Sequence, residues 1–172
     1  MTEPVALGTP DPDEAIAASQ GDVVDSHVHV WDADRVDYPW LAEVPDLARR
    51  YAFSDVADEH AAAGVRQVVL VQAADSIDDT ELMLATAAAD PLVAGVVAWI
   101  PIDDVRAAEA CLTRWASEPI VGVRHLVHRH PDAGLLARPR VAEVLDLIAD
   151  RQLVFDVCAE SEDLLRLVPT LS

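Results

Sequence analysis

The sequence predicts an α/β protein built on a parallel sheet of the (β/α)-barrel, or TIM-barrel, type, with about the first five of eight units present. Five short apolar runs, at 23–30, 66–73, 92–100, 120–127 and 153–159, carry this prediction. They are rich in valine and lack strict polar alternation, the pattern of strands covered on both faces. Segments of helical period with start signals lie between them, so strand and helix alternate in the manner of parallel sheets. The strand starts, near 23, 66, 92, 120 and 153, are separated by 43, 26, 28 and 33 residues. A closed eight-stranded barrel needs on the order of 250 residues at that rate, whereas this chain has 172. The expectation is therefore an open sheet or a barrel truncated at its C-terminus.

In chain order, residues 1–21 are rich in Pro, Asp and Ala and read as a flexible acidic tail, leaving 22–172 as one partial-barrel domain. The first strand is followed by a long segment, 31–53, that breaks the rhythm. Loops of that length after strands are where α/β proteins place function. Its Trp31, Tyr38, Trp40 and Tyr51 either cover a pocket or fill a gap in the core, and both readings stand. Ser54 is the expected cap of a helix that ends at Gly64. Asp78 with Glu81 makes a capping-box-like start for the next helix, and Asp103 opens the one after it. Pro139 suits the first turn of a further helix whose Leu145, Ile148 and Ala149 share an apolar face. Ser161 is placed to cap a last short helix.

Composition narrows the function. Hydrophobic residues make up 52% of the chain, enough for a sizeable core, and the net charge is −19. So acidic a surface repels phosphate backbones and anionic lipid, which leaves a small molecule as the expected partner and argues against nucleic acid or a membrane. No run approaches the ~20 apolar residues of a membrane span. The N-terminus lacks the basic start and apolar core of a secretory signal, so a cytoplasmic location is expected. Cys111 and Cys158 are far apart, without metal-type spacing, and read as small buried apolar residues.

The chemistry concentrates at strand ends. In "DVVDSHVHVWD" (22–32), residues two apart project to one face, so His27 and His29 point together, with Asp25 one step earlier. Two adjacent imidazoles suit a divalent metal such as zinc, and equally a metal-free site that binds an anion or moves protons near neutral pH. "VGVRHLVHRH" puts Arg124 and His125 at the end of the fourth strand, with His128 and His130 in the loop beyond. Arg124 suits a substrate carboxylate, or a wall ion pair with Asp156. Gln72, ending the second strand, reads either as a donor to a substrate oxygen or as a partner for backbone groups. His60 falls within a helix and reads as a surface residue.

The ordered motifs "VVDSHVHVWD", "YPWL", "GVRQVVLVQA", "VAGVVAWIPI", "VGVRHLVHRHPD" and "LVFDVCAE" together resemble the amidohydrolase-related family of the amidohydrolase superfamily. The resemblance is greatest to the branch of sugar-lactone and 2-pyrone-4,6-dicarboxylate lactonases, and it covers about 23–160. It implies a (β/α)8 barrel that hydrolyses a lactone C–O bond of a small acidic or sugar-derived substrate, with or without a divalent metal. His27 and His29 match the family's first-strand pair, a catalytic pair and the implied metal ligands. Gln72 matches the glutamine ending strand two, Arg124 and His125 match "GVRH", and Asp156 matches an acid of strand five. These imply a catalytic role for His125 and substrate binding by Gln72, Arg124 and Asp156, with Trp31 beside them. Ala98 departs from a family glycine. The family's late-strand His and Asp, the latter the expected water-activating base, have no counterpart before Ser172, which leaves His125 as the resident substitute. Two other readings follow: a zinc-dependent decarboxylase on the same barrel, and a non-catalytic module that associates with itself through its open strand edges.

Overall fold

The computed structural model describes residues 23–160 except 133; the proposed tail and the helix capped by Ser161 lie outside them. Five strands form one wholly parallel sheet in the order β1-β2-β3-β4-β5. They are β1 (Val23–Val28), β2 (Val65–Val71), β3 (Val93–Ala98), β4 (Ile120–Leu126) and β5 (Val154–Cys158). The order follows the sequence step by step, as in a barrel wall, and the five strands make a half-barrel. Its two edge strands leave Val23, Val24 and Val154 exposed.

Among the described residues four helices cover one face: α1 (Ala57–Ala62), α2 (Ile77–Ala89), α3 (Val105–Arg114) and α4 (Pro139–Asp150). Val28, Leu70, Val96, Ala98 and Val123 from the strands pack with Met83, Ala108, Val144 and Ile148 from the helices in the main buried core. None of the helices is long and apolar enough to cross a membrane.

The start signals shift by one or two residues. Ser76, not Asp78, caps α2, its Oγ accepting from the Asp78 N–H at 3.1 Å. Asp104, not Asp103, caps α3 through the Ala107 N–H at 3.1 Å. Ser54 caps nothing: it lies inside a 3-10 turn, Phe53–Asp55, that precedes the short α1. Gly64 then turns the chain with φ +74°, a conformation that disfavours any side chain. Pro139 opens α4 as expected, but the buried stripe is Val141, Val144 and Ile148, while Ala149 is exposed.

Segment 31–53 serves both of its proposed purposes. Tyr38, Val36, Leu41 and Ala74 form a second core with Trp31 and Trp40 packed against it. The Tyr38 hydroxyl donates to Asp79 Oδ1 at 2.7 Å. Asp79 is fully buried, and its Oδ2 accepts from the Ala73 and Ala74 N–H groups. Trp40 Nε1 donates to the Ala73 carbonyl at 2.9 Å, and Trp31 Nε1 to that of Leu47 at 3.1 Å. The aromatic segment is thereby fastened over the ends of β1 and β2.

Candidate active site

Strand alternation decides which side chains reach the barrel mouth. Val28 and Val30 are buried in the helix-covered core, so His27 and His29 project from the opposite face. Their Nε2 atoms are 3.2 Å apart, with the rings nearly perpendicular. His29 Nδ1 lies 2.7 Å from the Val71 carbonyl, an acceptor only, so that nitrogen carries the proton and Nε2 presents its lone pair. Partial burial lowers its pKa, the Val71 contact opposes this, and the nearby Arg124 and His27 charges add to the lowering.

Arg124 follows Val123, which is in the helix-facing core, so its side chain enters the same face as the histidine pair. Its Nη1 donates to the Gln72 carbonyl at 3.4 Å and its Nη2 to Cys158 Sγ at 2.9 Å. Asp156 is level with Arg124 across β4 and β5, yet no hydrogen bond or ion pair joins them among the described residues. The wall ion pair is absent because the guanidinium extends past Asp156 to the strand end.

Gln72 is fully buried. Its Nε2 donates to Asp75 Oδ1 at 3.1 Å and to the Arg124 carbonyl at 3.4 Å. Both partners are acceptors, so the amide nitrogen must face them, and Oε1 is left without a partner. A donating role toward substrate is thus already spent within the protein.

His29, Trp31, Gln72 and Arg124 come together, lining one cleft of about 320 Å³ with Trp40, Ala73, Leu126 and His128. His27 touches His29 at its edge. His125 does not line it. It shares the helix-facing side with Val123 and is 5% exposed, with neither ring nitrogen hydrogen-bonded. Its Nε2 is 3.8 Å from Asp75 Oδ2 and its ring centroid is 5.6 Å from that of His130. Burial lowers its pKa, Asp75 opposes this, and His130 adds to the lowering.

His128 belongs to the cleft although its sequence position only placed it in a loop. A 3-10 turn, Val127–Arg129, interrupts the strand alternation and swings it inward, and its Nδ1 meets the Cys158 carbonyl at 3.1 Å. His60 is also misread by sequence, for its side chain is 14% exposed and its Nε2 is 3.1 Å from Asp25 Oδ2. The other Asp25 oxygen accepts the His27 N–H at 3.1 Å, so Asp25 and His60 brace the strand that presents the pair.

The amidohydrolase family profile matches residues 24–171. The chain belongs to the amidohydrolase family. It is similar to an L-fucono-1,5-lactonase of Burkholderia ambifaria, 27% identical over 135 residues that cover 77% of this chain and 46% of that protein. A crystal structure of an amidohydrolase from Burkholderia multivorans with bound HEPES superposes with a TM-score of 0.80 at 25% identity, covering 87% of this chain and 53% of the other. One with bound zinc gives 0.74 at 26% identity, covering 88% and 52%. This chain therefore spans about half the length of the amidohydrolases it matches, in agreement with five strands among the described residues where a barrel has eight.

Among the described residues no group of three or more His, Cys, Asp or Glu is arranged to hold a metal ion. The histidine pair nonetheless fits one as two ligands. Two nitrogens bound to one tetrahedral zinc at their usual lengths stand about 3.3 Å apart, and these stand at 3.2 Å. The Val71 contact is the outer support that such ligands have.

Proposed function

We propose that this chain contributes the substrate-binding half of a lactone hydrolase acting on a small acidic or sugar-derived ring. The convergence of His29, with His27 against it, and Arg124 on one aromatic-walled cleft carries the reading, supported by the similarity to a lactonase. Trp31 and Trp40 offer apolar faces to the ring. Arg124, with no carboxylate paired to it among the described residues, orients an anionic group or the carbonyl oxygen. His27 and His29 would hold a divalent metal, which when bound supplies Lewis-acid polarisation. His128, its Nδ1 directed to the Cys158 carbonyl, turns Nε2 free to accept a proton, a better-placed resident base than His125.

In the overall step, water adds to the lactone carbonyl carbon and the ring C–O bond breaks. The ring oxygen leaves with a proton as a hydroxyl, and the hydroxy acid formed releases a proton at neutral pH. The two free cysteines accord with a cytoplasmic setting. The test is proton release by the full chain, with and without added zinc, over a panel of sugar 1,5- and 1,4-lactones, with CO2 measured in parallel. Lactone opening above the spontaneous rate, lost in His27→Asn and His29→Asn, is expected. Opening of no lactone overturns the reading, and CO2 release from an acid substrate would put a decarboxylase in its place.

A further inference from the structure

Cys158 ends β5, the edge strand of the described sheet, and two of the residues lining the cleft depend on it. Its sulfur accepts from Arg124 Nη2 at 2.9 Å, and its carbonyl faces His128 Nδ1 at 3.1 Å. The register explains why the sulfur takes the contact. Arg124 is level with Asp156, and Cys158 lies two residues further along the same face, where the long guanidinium stem ends. The second anchor of the guanidinium, the Gln72 carbonyl on β2, is longer at 3.4 Å. The cation is thus stretched between the ends of β2 and β5, and the sulfur contact is the shorter of its two anchors.

We propose that Cys158 is a positioning residue: its sulfur holds the Arg124 guanidinium at the cleft, while its carbonyl sets the ring of His128 beside it. This rests on the reading of Arg124 as a substrate-binding group. A side chain with a hydroxyl acceptor at position 158 preserves the arrangement, and one with none frees Arg124 to rotate toward solvent. Because the His128 contact uses the backbone, substitution of Cys158 acts on Arg124 and leaves that anchor in place.

The test compares Cys158→Ser and Cys158→Ala in the full chain. Binding of gluconate, an opened sugar lactone, is read by tryptophan fluorescence, and lactone hydrolysis by proton release. Side-chain nitrogen NMR follows the rotation of the Arg124 guanidinium without any ligand. Cys158→Ala is expected to raise the gluconate Kd and the lactone KM about tenfold, the usual consequence of losing a charged hydrogen bond, with kcat changed less than twofold. It should also merge the separate Arg124 Nη signals. Cys158→Ser should restore both affinities to within about twofold and keep the signals apart. In an Arg124→Lys background, adding Cys158→Ala should cause no further loss. The proposal is overturned if Cys158→Ala matches the parent chain, if Cys158→Ser is as impaired as Cys158→Ala, or if the Nη signals do not respond. Normal NMR responses in a chain that neither binds gluconate nor opens lactones would sustain the Cys158–Arg124 contact while removing the lactonase reading.

Discussion

Replacing Tyr38 by phenylalanine deletes a single oxygen from the joint that fastens the aromatic segment to the barrel. That oxygen donates at 2.7 Å to Asp79, which is 0% exposed and, among the described residues, has only the Ala73 and Ala74 N–H groups as further donors. Removing a hydrogen bond to a charged acceptor costs about 1.5–3 kcal/mol. At about 2–4 °C per kcal/mol for a protein of this size, the thermal midpoint should fall by roughly 3–12 °C. The loss should depend on pH. Burial raises the Asp79 pKa, while the Tyr38 hydroxyl and the two N–H groups hold it down. A carboxyl with a raised folded pKa contributes stability that is full below its unfolded value and is lost as pH rises through the folded value. Tyr38→Phe raises that folded pKa further, so its penalty should grow from acid toward neutral pH. Urea unfolding followed by circular dichroism at several pH values measures this. A change below about 0.5 kcal/mol at neutral pH, or a penalty that shrinks as pH rises, would refute the account.

Other outcomes follow from the same geometry. His27→Asn and His29→Asn should each abolish stoichiometric zinc binding measured by elemental analysis, while shifting the thermal midpoint by only a few degrees. His125 has its pKa lowered by burial, so its stability contribution is complete above the ordinary value near 6.5 and is lost as pH falls through the folded value. His125→Gln should therefore flatten the stability profile on the acid side of the ordinary histidine value, read by thermal melts. Asp104→Ala removes the cap of α3 and should cost about 1 kcal/mol in urea unfolding. Gly64→Ala meets no atom within 4 Å, so its cost, about 1 kcal/mol, should come from the φ of +74° alone.

The sequence by itself determined the alternation of strands and helices, the parallel sheet and the outward pairing of His27 with His29. Those properties have periods of two or four residues, and local pattern reports them. It also placed Gln72 and Arg124 at strand ends beside the histidines, where the cleft forms. What those groups do was settled at long range. Val71, 42 residues from His29, assigns its tautomer, and Asp25, 35 residues from His60, draws that ring off the surface. The Arg124 carbonyl and Asp75 occupy the Gln72 amide nitrogen, which fits the second of its two readings, a partner for backbone groups. His125 and His128 exchanged places for the same reason. Strand alternation turned one toward the helices, and a three-residue 3-10 turn brought the other into the cleft. Ring orientation, tautomer and burial depend on atoms that folding brings into hydrogen-bonding distance, and no spacing along the chain encodes them.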